Sequence, residues 1–501
     1  MTTTTQQPRP GARPASAAAP APRPNRQTPR LLTRLHVFAG IFCAPFILVA
    51  AVTGLLYAVA PTVEQVAYHD MLTASATEEH PTAEPVSAQV ATAQEKYPDL
   101  ALAGIRLGDA EQTTRVLFTD PTLPESTLRA VFIDPYSGEV AGDSTQYGSS
   151  AALPLRQWLS EGHRMLWLGE GGRLYSELAA SWLGVLAVGG VVVLWQRQRK
   201  GSAGSRMKGM LRRDGKGRTR MMRRHGATGT VVAVGLVFLT ITGLTWSTFA
   251  GANISEVRAN LHWTTPSVST DLPGAQTTAA AGSTGHAGHA DHATASMSPV
   301  RVSGLNAGSI DRVAATARQE LRTPMTLTPP TAEGAAWSVT ENRSSWRLAN
   351  NAIAVDWATG KVSSRLDFAD WPLAAQATAW MIQLHMGTLF GLPNQIVLFL
   401  LAAAIIVMVV RGYAMWWMRR PRGPQGQSRR NLLPASPPRA GWGRPTVGTL
   451  ILGVALVVYG VIAPVFGVTC LAFILLSALW DLGRRGLARS AGAAGTVFPR
   501  G

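Results

Sequence analysis

The sequence predicts an α-helical polytopic membrane protein of about six spans, with two small α+β extracytoplasmic domains, built as a tandem parallel repeat. Three observations predict it. The 501 residues are 46% hydrophobic and only 15% charged, too apolar for an ordinary soluble multidomain chain. Apolar runs long enough to cross a hydrocarbon core of about 30 Å recur along it. One half of the chain also repeats the other in register.

Taken in order, residues 1–34 read as a disordered basic cytoplasmic tail, 35–60 as the first span and 61–178 as the first outer domain. A second span at 179–195, a basic cytoplasmic loop at 196–226 and a third span at 227–249 follow. The second outer domain occupies 250–393, with a linker at 266–300 rich in His, Ala and Gly. A fourth span at 394–418 leads to a cytoplasmic loop at 419–445, a C-terminal apolar stretch at 446–480 and a cytoplasmic tail at 481–501. The stretch at 446–480 is too long for one untilted span and carries Ala463-Pro464 near its middle. That predicts a tight helical hairpin, with one kinked, tilted helix as the alternative.

The formal charge of +17 does not indicate nucleic acid, because the basic residues collect between particular spans instead of forming one face. Segment 196–226 holds twelve Lys or Arg against the single Asp214, and Arg9, Arg13, Arg23, Arg26, Arg30 and Arg34 precede the first span. Under the positive-inside rule this makes a multi-pass protein of the inner (cytoplasmic) membrane with both termini cytoplasmic, solvated by membrane lipids. The first apolar run is longer than the ~7–15 residues of a signal-peptide core, so it is expected to stay as a span. The only cysteines, Cys43 and Cys470, lie in apolar runs, which leaves no disulfide framework or cysteine metal site for the outer domains.

The repeat fixes the organisation. His36 and His225 are each followed four residues later by glycine (Gly40, Gly229) and seventeen later by Thr-Gly-Leu (Thr53-Gly54-Leu55, Thr242-Gly243-Leu244). VFIDPYSGEV, with Asp134 and Gly138, parallels IAVDWATGKV, with Asp356 and Gly360, and both read as a strand entering an Asp-x-x-x-Gly turn. Twenty-nine residues after each Asp comes a histidine, His163 or His385, with a tryptophan five residues before it (Trp158, Trp380) and a glycine six after it (Gly169, Gly391). Helix-like segments at 86–97 and 309–321, followed by short β-rich runs, give each outer loop one small α+β domain. Two units entering from the same side imply a pseudo-twofold axis along the membrane normal.

The axis pairs His36 with His225 at one membrane face and His163 with His385 at the other. Neutral imidazole is an axial ligand for haem iron, and ionisable residues near the bilayer are costly unless used. The pattern points to two bis-histidine b-type haems. The plain alternative is that these histidines bond headgroups or helix ends, and Gly40, Gly54, Gly229 and Gly243 fit close helix packing as well as room for a macrocycle.

LHVFAG…TGLLY, an outer segment ending in DPYSGEV, GHRMLWLGEGGRLY before a span, and a second round ending in LHMGTLFGLPNQ resemble the PepSY-associated transmembrane family, over roughly residues 31–420. That family includes iron-regulated membrane proteins and ferric-siderophore reductases. The resemblance implies PepSY-like folds for both outer domains and, for reductase members, haems ligated at the positions of His36, His163, His225 and His385, carrying electrons outward. This chain departs from the familiar pattern at His225, where MRRHGATG lacks aromatic or leucine neighbours, and in its C-terminal hairpin.

The expected activity is reduction of extracytoplasmic Fe(III), as a ferric siderophore, with electrons from a cytoplasmic donor or quinol. No glycine-rich nucleotide loop stands between a strand and a helix, so no flavin or nicotinamide site is expected in this chain. An alternative function starts from HAGHADH, where His286, His289 and His292 at three-residue spacing could bind copper or another divalent metal. Another is a binding or regulatory role for the outer domains without redox chemistry. No Ser-His-Asp, metalloprotease or phosphate-loop motif supplies a hydrolytic site.

Overall fold

The computed structural model describes residues 27–197, 216–272, 306–420 and 446–494. The tract at 286–292, most of the N-terminal tail and most of the 196–226 and 419–445 loops lie outside the described residues.

The first repeat opens with helices α1 (Gln27–Phe42) and α2 (Ala44–Ala67), separated at Cys43, with Pro45 in the first turn of the second. A short α3 (His69–Leu72) precedes α4 (Val86–Lys96) and strands β1 (Ala101–Leu107), β2 (Thr114–Thr119), β3 (Thr127–Ile133) and β4 (Val140–Tyr147). Helices α5 (Pro154–Met165) and α6 (Glu170–Arg197) close the unit. The second repeat runs α7 (Gly217–Thr245), α8 (Phe249–Asn260), α9 (Ala307–Glu320), β5 (Met325–Thr328), β6 (Trp337–Glu341), β7 (Ala352–Val355), β8 (Val362–Leu366), α10 (Leu373–His385) and α11 (Leu392–Trp417).

Among the described residues four helices, α2, α6, α7 and α11, are long and apolar enough to cross a membrane. They extend past the apolar runs at one or both ends, and side chains such as Val231, Val234 and Leu400 remain exposed on them, as a lipid-facing surface requires. The 446–480 stretch forms α12 (Val447–Ile462) and α13 (Pro464–Ala494), broken at Ala463, where proline cannot continue the hydrogen-bond ladder. Its apolar arms, Val447–Ile462 and Pro464–Leu479, are each shorter than the four long spans. They pack on each other across Gly460 and Gly467, and Trp182 of α6 holds them through Phe466 and a 3.0 Å hydrogen bond to Thr469.

The two segments expected to form separate extracytoplasmic domains do not form two separate sheets. All eight strands make one antiparallel sheet in the order β4-β3-β2-β1-β5-β6-β7-β8, joined where Ile105, Arg106 and Leu107 oppose Leu327, Thr326 and Met325. Helices α4 and α9 cover one face, burying Val90, Ala93, Val313 and Ala317 against Val116, Val131, Trp337 and Ile353. The other face meets the bundle through Leu117, Ala130, Phe132 and Leu153, with Tyr68 and Met71 packed against them. The period of two along β2 and β3 supplies both faces.

Both Asp-x-x-x-Gly turns form as their sequence requires. Asp134 and Asp356 accept the amides of Tyr136 and Ala358, while Gly138 and Gly360 adopt φ of +71° and +74°. The strand order is a palindrome under exchange of the repeats. The helix packing obeys the same exchange, with α6 on α7 and α2 on α11.

Candidate functional site: two histidine-lined cavities

Among the described residues the bundle holds two partly open cavities, one beneath the sheet and one toward the opposite end, with volumes of about 210 and 240 Å³. Each is lined by one histidine from each repeat.

His36 of α1 and His225 of α7 meet in the far cavity. Their ring centres lie 6.4 Å apart and their planes are inclined at 79°. Two nitrogen ligands on opposite sides of one metal ion, each about 2 Å from it, place their ring centres at about that separation. The separation is that of two imidazoles that could share one metal ion. Gly190 of α6 makes room for one of them, since a Cβ there would come within 2.9 Å of His36 Cε1.

His163, near the C-terminus of α5, and His385, the last residue of α10, both line the sheet-side cavity. Their Nδ1 atoms meet the threonines of the repeated Thr-Gly-Leu motif, His163 with Thr53 Oγ1 at 3.0 Å and His385 with Thr242 Oγ1 at 2.7 Å. Each hydroxyl also bonds a carbonyl one helical turn back, Val49 or Phe238, at 2.8 Å. Gly54 lies against the His163 ring, where a Cβ would stand 3.0 Å from Cε1. The second site departs from this symmetry: the His385 ring packs edge-on to Trp246 at 5.4 Å, and the counterpart glycine, Gly243, faces Ala180.

Burial pushes His163 down to about 4, opposed by the Ala50 carbonyl, and His385 down to about 3, with His163 adding to the effect. Both imidazoles are therefore neutral near pH 7 and able to donate a lone pair.

Ile47, Leu183 and Ile405 line both cavities, so a single layer of apolar side chains divides them. The sequence reading did not single out this layer, the role of Thr53 and Thr242, or Gly190. A signal for the glycine exists: Gly190 and Gly412 each fall twenty-seven residues after an outer histidine, and both line the far cavity. The third predicted site, at His286, His289 and His292, lies outside the described residues. Among the described residues no group of three or more His, Cys, Asp or Glu is placed to hold a metal ion.

Apolar helices of spanning length, a palindromic sheet at one end and repeat-paired histidines within the bundle define an integral membrane protein made by duplication. The chain belongs to the family of the PepSY-associated TM region, whose model matches residues 33–419, an interval that contains both repeats and all four histidines. No curated protein matches the chain.

Proposed function

We propose that the protein is a transmembrane electron carrier of the inner membrane, with its sheet on the outer side, which reduces Fe(III) held in an extracytoplasmic chelate of the siderophore type. The observation that carries this reading is the pair of adjoining cavities, each offering one imidazole from either repeat. His36 with His225, and His163 with His385, would hold one b-type haem in each cavity. Bound there, the haems supply one-electron transfer between the two membrane faces.

The protein's own residues prepare the site. A threonine hydroxyl has one proton, and a backbone carbonyl can only accept. With that proton donated to Val49 or Phe238, the Thr53 and Thr242 oxygens accept from Nδ1–H of His163 and His385. The lone pair of Nε2 is then left for iron, which is how an outer hydrogen bond sets the tautomer of a metal-binding histidine. Glycine beside His36 and His163 lets each ring lie against a neighbouring helix. The layer at Ile47, Leu183 and Ile405 keeps water from running between the cavities. Release of the product follows from charge, because hard oxygen ligands hold Fe(II) less tightly than Fe(III). The electrons would come from a cytoplasmic donor or from quinol.

The test is a dithionite-reduced minus oxidised absorption spectrum with a pyridine haemochrome assay, on full-length protein from a haem-replete host. The expected result is b-type bands at about two haems per chain, reduced to about one in His163→Ala or His225→Ala. A colourless protein, or haem content indifferent to all four histidines, would overturn the proposal.

A further inference from the structure

Between the sheet and the bundle lies a concentration of positive charge that the haem reading does not use. Arg106 and Arg115 are direct cross-strand partners in the β1–β2 ladder, where like charges oppose folding. Both point toward the bundle: Ile105, Leu107 and Val116 beside them belong to the helix-covered core, and the Arg115 guanidinium stands 5.0 Å over the Phe132 ring on the opposite face. Arg156 of α5 faces the same pair, as does Glu64 of α2.

Glu64 is already engaged. Its Oε1 pairs with Arg156 Nη2 at 3.2 Å and its Oε2 accepts the Leu153 amide at 2.9 Å. Arg115 gives one N–H to Gln146, and Arg106 makes no hydrogen bond to another described residue. Three guanidinium groups against one carboxylate leave two positive charges in excess. Burial and the neighbouring arginines depress Arg106 to about 10 and Arg115 to about 9, with Glu64 opposing the shift in both. Arginine keeps its proton in proteins, so this unfavourable environment calls for an added anion.

The fold itself does not require these charges. In the second repeat Thr328 and Ser338 hold the corresponding ladder positions, with Ser338 opposite Ala354 as Arg115 is opposite Phe132. The cluster also adjoins the sheet-side cavity. Arg156 donates to the Ser150 carbonyl, Gln146 precedes Tyr147, and Ser150, Tyr147 and Arg164 line that cavity. Gln146 of β4, Glu64 of α2 and Arg156 of α5 stand around the arginine pair.

We propose that Arg106 and Arg115, backed by Arg156, form an anion site whose ligand is a carboxylate-bearing ferric chelate of net negative charge. Two planar forks on neighbouring strands, about 5 Å apart at Cα, suit oxygens spread over more than one carboxylate. The site thus selects polycarboxylate iron complexes and holds them at the mouth of the cavity lined by His163 and His385. Naming iron rests on the proposed function; the binding of an anion does not.

The experiment measures binding of ferric citrate, iron-free citrate, inorganic phosphate and a cationic trihydroxamate ferric chelate to the full chain in zwitterionic nanodiscs. The expected result is that ferric citrate binds most tightly, weakens at least about tenfold in Arg106→Gln and in Arg115→Gln, and weakens again at high salt. The cationic chelate should be indifferent to both substitutions. An unchanged elution profile and absorption spectrum show that each variant is folded.

Equal binding of ferric citrate by both variants and wild type would overturn the site. Citrate or phosphate binding as tightly as the iron complex would overturn the chelate assignment, as would a co-purifying anionic lipid lost in Arg106→Gln that ferric citrate does not displace. A colourless protein that still binds ferric citrate through Arg106 would leave the site standing and remove the haem reading. A haem-loaded protein indifferent to Arg106 and Arg115 would do the reverse.

Discussion

Thr53 Oγ1 lies 3.0 Å from His163 Nδ1, and Thr242 Oγ1, its counterpart in the second repeat, lies 2.7 Å from His385 Nδ1. Two copies of one contact, each with the hydroxyl back-bonded to its own helix, make the threonines positioning residues for the sheet-side imidazoles. Thr53→Val keeps the branched shape and removes the oxygen. It is expected to lower haem retention in that cavity by about 10–100-fold in affinity, while Thr53→Ser keeps most of it. Haem content checks the first effect, and ¹⁵N chemical shifts of His163 in the haem-free protein check the tautomer. An unchanged Nδ1–H signal in Thr53→Val would sink the assignment.

Gly189 and Gly190 provide a comparison within one helix turn. A Cβ at Gly190 would press to 2.9 Å from His36 Cε1, whereas one at Gly189 meets nothing within 4 Å. Gly190→Ala is therefore expected to displace the His36 ring and alter the spectrum contributed by the far cavity. Gly189→Ala should leave the spectrum unchanged and stabilise the helix by about 0.5–1 kcal/mol, as alanine does when space allows. Spectra and thermal midpoints of the two variants, taken side by side, decide the matter; identical behaviour would contradict the cavity geometry.

The histidine pairs were legible because duplication places chemically equivalent residues at equivalent positions, and a twofold axis brings such positions together. The Asp134 and Asp356 turns were legible for the same reason, with glycine marking the positive φ. Other features left weaker traces. That Thr53 faces His163 depends on the depth at which α5 enters the bundle, which side-chain periodicity does not encode. The union of β1 with β5 joins strands that lie in different repeats and far apart in sequence, and alternation along a strand gives the same pattern whether or not its edge is paired. Arg106 and Arg115 belong to no sequence motif, and only the ladder register sets them side by side.

Glu64 and Arg156 form an ion pair with side chains only 9% and 8% exposed. Removing one partner of such a pair leaves an uncompensated charge, at a cost of about 3–5 kcal/mol. Glu64→Gln should therefore lower the thermal midpoint clearly, and the double variant Glu64→Gln/Arg156→Met should recover part of the loss because the stranded charge is gone. A double variant less stable than Glu64→Gln would show that packing of Arg156, not charge pairing, dominates there.

The eight-stranded sheet should loosen in acid. Asp120 is held below the usual carboxylate range by the Thr122 hydroxyl and amide, then by Arg129, and Asp143 by the Tyr97 hydroxyl and then Lys96. A carboxyl depressed on folding contributes stability that is fully present above its unfolded value of about 3.9 and is lost as pH falls through the folded value. Tryptophan fluorescence should stay constant from neutrality to about pH 5 and report loosening below about pH 4. Asp120→Asn should flatten that acid limb. An acid limb equally steep in Asp120→Asn would mean that other carboxyls carry it.

The single eight-stranded sheet makes its own prediction, because Arg106 and Thr326 face one another across the one ladder that joins the repeats among the described residues. Residues directly opposite on antiparallel strands have Cα atoms about 4.5–5.5 Å apart, within the about 4.4–6.8 Å that a disulfide spans. The native cysteines, Cys43 and Cys470, are buried in the bundle and cannot compete. Arg106→Cys/Thr326→Cys should therefore cross-link in mild oxidant. With a protease site placed between residues 273 and 305, the cut chain should run as one band without reductant and as two with it, whereas separately folded outer domains would give two bands in both lanes.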